Sequence, residues 1–116
     1  MYKVTGTTIE MVRGDSVIIK VSMKMSGEDY VPIEGDSLRF AMKHRTLNST
    51  RTEYTDSEPL LIKPISIEDC MLRLNPEDTK DIGFGTYVYD IEITFADGFV
   101  DTFIKNAKIK LLPEVH

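Results

Sequence analysis

Few of the residue types that announce a site or a staple occur in this sequence. Its single cysteine, Cys70, excludes an internal disulfide and cannot alone hold a structural zinc. Cys70 sits in phase with Leu72 and Leu74, so it reads as a buried thiol and not a reactive one. The two histidines, His44 and His116, lie far apart in the chain, and the second falls at a fraying end. No apolar run approaches the length that crosses a bilayer, and the opening MYKVTGTTIE lacks the basic start and apolar stretch of a secretion signal. The expectation is a soluble chain made in the cytoplasm, with no membrane partner. With five prolines and seven glycines in 116 residues, no segment is dominated by either, which excludes a fibrous or largely disordered chain. Basic charge is also short: 14 Lys and Arg against 19 Asp and Glu give a formal charge of −5. That balance repels phosphate backbones, and the basic residues are scattered, so nucleic acid is disfavoured.

What is present is alternation. The stretch from Gly85 to Ile104 puts Tyr87, Tyr89, Ile91, Ile93 and Phe95 on one face and Val88, Asp90, Glu92 and Thr94 on the other. Asp97-Gly98 can take the positive backbone angles of a tight reversal, which predicts a β-hairpin. Two registers compete. A two-residue loop pairs Phe95 with Val100, Ile93 with Thr102 and Ile91 with Ile104, and points Phe99 and Phe103 outward. A three-residue loop with Gly98 as a bulge pairs Phe95 with Phe99, but turns Asp101 inward beside Ile93. The two-residue register is preferred. Beyond Ile104 the apolar phase moves to Ala107, Ile109 and Leu111, which requires a bulge near Lys105-Asn106.

Other strands follow the same logic. Residues 7–12 form a short strand, Arg13-Gly14-Asp15 a turn, and Ser16 to Met25 a long strand with Val17, Ile19, Val21, Met23 and Met25 on one side. An Arg-Gly-Asp triplet can be read by adhesion receptors, but the turn explanation is favoured where no export signal is seen. Tyr30 to Ile33 is extended, with Pro32 suited to an edge, and Glu34-Gly35-Asp36 turns into a strand carrying Leu38, Phe40 and Met42. Residues 45–58 lose all periodicity and read as a long surface loop or mobile edge; the glycosylation triplet at Asn48 within it means little without an export route. Leu60 to Ile67, interrupted by Pro64, reads as an outer strand, and Cys70, Leu72 and Leu74 as another. Asn75-Pro76-Glu77-Asp78 has the cap, the proline and the acids of a helix start, stopped within a turn or two by Gly83 or Gly85. One domain, residues 1–116, accommodates all of this.

A search for chemistry returns no catalytic constellation, metal cluster or cofactor loop. Gly83-Phe84-Gly85 lacks the further glycine of a nucleotide loop and reads as a corner. Asp90 and Glu92 share a strand face, as a glycosidase pair would, but Asp90 opposite Lys105 in an ion pair accounts for it. Asp97 and Asp101 could touch calcium, although turn chemistry explains Asp97 without an ion. No catalytic, metal or cofactor-binding residue is assigned, and neither an enzyme nor a small-molecule substrate is expected.

Gly85-x-Tyr87-x-Tyr89 after a short helical crossing resembles the tyrosine corner of immunoglobulin-like sandwiches, with Tyr87 the corner residue returning its hydroxyl to upstream backbone. Tyr89 stands where antibody domains carry a cysteine, so the resemblance is to the architecture. The fold class expected is all-β, an immunoglobulin-like antiparallel sandwich of about seven or eight strands with one short helical turn before the penultimate hairpin.

A wider resemblance runs through nearly the whole chain: Arg13-Gly14-Asp15-Ser16, Gly35-Asp36-x-Leu38-x-Phe40, Leu72-x-Leu74-x-Pro76-x-Asp78-Thr79, Gly85-Thr86-Tyr87-Val88-Tyr89-Asp90-Ile91, Asp97-Gly98 and Thr102. Together these are similar to the amino-terminal domain of the phage baseplate upper protein family. The resemblance implies a non-enzymatic virion structural protein of a phage or prophage, assembled in the cytoplasm of a bacterial host and packed into a tail or baseplate by protein contacts. This chain ends after the sandwich, where that family continues into an extension, so a stand-alone tail or head accessory subunit fits equally well. The partners implied are a second copy of the chain and other virion proteins. In the preferred register Phe99 and Phe103 protrude with Val88 nearby, which makes these three the candidate interface, at a subunit contact or under the long loop. The alternative is a glycan- or peptide-binding module using residues 45–58, with Tyr54 as its first contact.

Overall fold

A computed structural model describes residues 2–25, 27–47 and 49–113. His116, Asn48 and the rest of the tail after Pro113 lie outside the described residues, and with them the expectations placed there. The described chain is mostly β-strand. In order, the elements are β1 (Tyr2–Thr5), β2 (Thr8–Val12), β3 (Val17–Lys20), β4 (Met23–Met25), β5 (Glu28–Tyr30), β6 (Ser37–Lys43), β7 (Arg45–Leu47), β8 (Tyr54–Asp56), β9 (Leu61–Ile65), β10 (Met71–Leu74), α1 (Pro76–Thr79), β11 (Gly85–Thr94) and β12 (Val100–Leu112). Six of them form one sheet in the order β1-β2-β12-β11-β6-β9, and three two-stranded sheets pair β10 with β3, β4 with β5, and β7 with β8.

The long alternating ribbon sits in the middle of the main sheet. Tyr87, Tyr89, Ile91 and Ile93 of β11 are buried, flanked by Leu38, Phe40 and Met42 of β6 and by Ala107, Ile109 and Leu111 of β12. Val17 of β3 and Leu72 and Leu74 of β10 bury their side chains in the same core, so the β3/β10 pair and the main sheet share one apolar interior. Pro64, which has no N–H to give, lies in β9 at the sheet's outer edge, where none is demanded on the open side. α1 begins as its residues predict: the Asn75 N–H donates to Asp78 at 2.7 Å, and Pro76 occupies the first turn.

Twelve strand segments among the described residues replace the seven or eight expected: β1 is a strand that was not foreseen, and two further runs differ for local reasons. The Ser16–Met25 run breaks at Val21-Ser22, because β3 follows β10 only as far as Cys70, whose left-handed backbone (φ 54°) ends that ladder; Met23–Met25 then pairs with β5 instead. Residues 45–58, expected to be a long surface loop or mobile edge, contain the β7–β8 hairpin, with Arg45 opposite Asp56 and Leu47 opposite Tyr54. Nor is the sheet antiparallel throughout. β2 runs parallel to β12, Ile9 beside Ile109 and Met11 beside Leu111, a pairing that no hairpin constrains.

The register of the central hairpin also differs from the one preferred. Phe95 N–H donates to the Phe99 carbonyl at 2.8 Å, and Thr94 pairs with Val100 and Ile93 with Asp101, so the loop has three residues and Gly98 takes the left-handed position (φ 93°). Asp101 is nonetheless exposed, because β12 gains its second neighbour only at residues 109–112 and runs as a free edge here. Two bulges then restore the core phase. One falls at Phe103, so that Ile91 again faces Ile104. The other falls at Asn106 (φ 54°), where the phase change predicts it.

Phe40 is fully buried at the centre of this packing, whereas Phe99 is 65 % exposed and touches mainly Phe95. Phe40→Ala is expected to cost about 3–5 kcal/mol, and Phe99→Ala roughly 1 kcal/mol or less, as read from urea denaturation midpoints. Equal costs at the two positions would contradict this placement.

Candidate functional site

The three residues proposed for an interface do not form one patch. Alternation puts Val88 on the face of β11 opposite Tyr87 and Tyr89, and there it is buried to 9 % exposure beneath the β7–β8 hairpin, whose Arg45 and Tyr54 line the same cavity. Phe103, displaced by its bulge, is half-buried and packs against the core. Phe99 alone is open to solvent. It stacks on Phe95 with ring centroids 6.2 Å apart, and the edge of Tyr30 meets Phe95 at 5.7 Å.

Around Phe99 the hairpin tip is clamped to the turn before β6. The buried Asp36 carboxylate accepts hydrogen bonds from the Tyr30 hydroxyl at 2.6 Å, the Ile33 N–H at 3.0 Å and the Ala96 N–H at 3.2 Å. Gly35 (φ 97°) makes this approach possible, since a Cβ there would lie 2.7 Å from that of Ala96. The Tyr30 hydroxyl above all, and then the Ile33 N–H, holds the Asp36 carboxyl below its usual range. The same turn leaves Val31 and Ile33 exposed, at 74 % and 63 %, so three large apolar side chains stand at this end of the molecule. The turn residues signal the reversal, but nothing in the spacing ties Asp36 to Ala96, sixty positions away.

At the other end of β11, the Tyr87 hydroxyl donates to the Gly83 carbonyl at 2.7 Å, and Gly85 (φ 143°) opens the strand. Tyr89, two residues on, sends its hydroxyl to the Thr7 carbonyl, and burial pushes its pKa up to about 12. The Arg13-Gly14-Asp15 turn is fastened here too. Gly14 N–H donates to the Thr79 hydroxyl at 2.9 Å, and the Arg13 guanidinium lies 4.1 Å from the centre of the Phe84 ring.

The outer face of the main sheet carries a chain of ion pairs. Asp90 meets Lys43 at 3.4 Å, not Lys105 as expected, because the Asn106 bulge turns its own N–H onto Asp90 at 2.7 Å and removes Lys105 from that position. Lys43 also reaches Asp56 at 3.1 Å, and Arg45 grips Asp56 with two bonds of 2.7 and 3.1 Å. Asp56 is thereby held down to about pKa 2, chiefly by Arg45. Glu92 pairs with Arg39 at 3.1 Å, so both carboxylates of the glycosidase-like pair are engaged by cations. Asp97 accepts the Phe99 N–H at 2.9 Å, the turn role foreseen for it.

A cavity of about 470 Å³ beside Tyr87 brings His44, Ser57 and Asp81 together, a set the sequence does not suggest. Ser57 spends its proton on the Glu58 carbonyl and accepts the His44 backbone N–H, while the His44 ring meets Tyr87 edge-on at 5.7 Å. These contacts fasten the β6–β7 junction: the Ser57 hydroxyl is committed to backbone groups, and the His44 Nδ1 lies 3.5 Å from the Thr46 hydroxyl.

Two outcomes are expected. Tyr87→Phe, which leaves the Gly83 carbonyl without its donor, should cost about 1 kcal/mol in urea denaturation. Because the folded-state pKa of Asp36 lies below its ordinary 3.8, the stability it contributes is present above that value and is lost as pH falls through the lowered one. Asp36→Asn should therefore be less stable than the parent near pH 7, with the gap narrowing near pH 3; a gap independent of pH would contradict the assignment.

No protein-family model, no curated protein and no solved structure matches the chain.

Proposed function

We propose that this chain is a non-enzymatic assembly module with an immunoglobulin-like architecture, acting as a structural subunit of a phage or prophage particle. Three features support the architecture. The main sheet runs β12-β11-β6-β9 beside a separate β3/β10 pair facing the same core; an amino-terminal strand lies parallel to the last strand; and Tyr87 turns back to Gly83 just after the short helix. The virion role is carried by the resemblance to the baseplate upper protein family.

The observation that carries the assembly reading is the clamped apolar end. Val31, Ile33 and Phe99 project from a turn and a hairpin tip that Asp36 holds together, so their exposure belongs to a rigid surface. Covering such a patch releases water, and a rigid surface loses little side-chain entropy on docking. Of the three residues named from the sequence, the assembly reading keeps Phe99 as the contact; Phe103 packs against the core, and Val88 lies under the β7–β8 hairpin, away from it.

The wild-type chain is expected to associate with rising concentration in light scattering. Ile33→Ser combined with Phe99→Ser should shift it to monomer while leaving the circular dichroism unchanged. An unchanged oligomer mass in the double variant, or a wild-type chain that stays monomeric throughout, would overturn this reading.

A further inference from the structure

We propose that the outer face of the main sheet, under the β7–β8 hairpin, binds a carboxylate-bearing pyranose. The site is a cavity of about 330 Å³ lined by Arg45, Tyr54, Thr86, Val88, Asn106 and Lys108. It goes beyond the assembly reading and lies on residues that reading does not use.

The groups are of the kinds a sugar acid requires. Tyr54 is 64 % exposed, and the Arg45 guanidinium lies 5.0 Å from its ring centre. Since Asp56 holds that guanidinium by two bonds, the ring is backed by a fixed plane and offers an aromatic platform for the apolar C–H face of a pyranose. Val88 supplies an apolar floor. Charge is left over at one point only. Lys43 and Arg45 are neutralised by Asp56 and Asp90, whereas Lys108 has no acidic partner among the described residues. A single unpaired ammonium at the rim selects a single carboxylate.

Asn106 adds a second, independent sign. It sits at the left-handed bulge with its N–H committed to Asp90, and its side-chain oxygen is buried without a hydrogen-bond partner. Such an orphan is costly. A half-turn about χ2 exchanges the oxygen for the amide nitrogen at the cavity wall, so the carboxamide can meet a ligand hydroxyl as acceptor or donor. Thr86 provides a further hydroxyl. The volume falls at the small end of ligand pockets, which run from about 300 to 1,000 Å³, and so suits one ring better than a peptide.

The test is a titration of the full chain, followed by amide chemical shifts, with methyl glucuronide, methyl glucoside and sodium acetate. Methyl glucuronide should produce saturable, millimolar shifts centred on Tyr54, Thr86, Val88 and Lys108, with the neutral glucoside markedly weaker and acetate without effect. Tyr54→Ala and Lys108→Gln should each weaken glucuronide binding by about tenfold, the former losing the platform and the latter the cation. If Tyr54→Ala disturbs the hairpin, Lys108→Gln on the long strand still decides the matter. Absence of saturable shifts, equal binding of glucoside and glucuronide, the same shifts with acetate, or wild-type affinity in Lys108→Gln would each overturn the proposal.

Discussion

Burial of one face of β11 governs the molecule. Tyr87, Tyr89, Ile91 and Ile93 enter the core together, and full burial of a large apolar side chain is worth roughly 1.5–3 kcal/mol. Because successive side chains on a strand point to opposite faces, a slip of one position would exchange all four for Val88, Asp90, Glu92 and Thr94. Two of those are carboxylates tied to Lys43 and Arg39 in the wet layer outside. The register of β11 against β6 is thus fixed from both sides, by apolar gain within and by ion pairs without. Where the neighbouring β12 disagrees with that register, it is β12 that yields, through its bulges at Phe103 and Asn106.

Those bulges link the packing to the surface. The one at Asn106 directs a backbone N–H to Asp90, which fixes where Lys43 and then Asp56 and Arg45 come to rest. A correction made for the sake of the core therefore sets the position of the β7–β8 hairpin and of everything that hairpin covers. At the opposite end the Asp36 clamp does similar work, tying a turn to a hairpin tip so that the exposed side chains there keep a fixed arrangement.

What could be read from the amino acids alone follows this division. Strict period two identified β6, β10 and β11 and their buried faces, and the change of phase after Ile104 placed a bulge correctly at Asn106. The Asn75-Pro76 start of α1 was legible because capping is local chemistry. Three things were not legible. The hairpin loop was assigned two residues because an inward Asp101 looked too costly, and that cost vanishes on a strand edge left open by its neighbour, a property of the whole sheet. The β7–β8 hairpin has no apolar alternation because it lies on the outer face, held by Arg45, Asp56 and Lys43 and not by a core. Asp36 and Ala96 meet only because the fold brings them together, so the clamp left no mark in the spacing. The same hairpin carries Phe103 inward, because that residue is itself the bulge, which no local pattern announces.

The parallel pairing of β2 with β12 has a bearing on how the chain is made. Ile9 and Met11 are synthesised one hundred positions ahead of their sheet partners, Ile109 and Leu111. Closing that pair sets the longest loop in the topology, and contacts so distant in sequence form slowly. During synthesis β2 has only β1 beside it, with its apolar side chains in need of shelter, until β12 has been made. The latch that joins the two amino-terminal strands to the rest of the sheet is therefore the far end of β12.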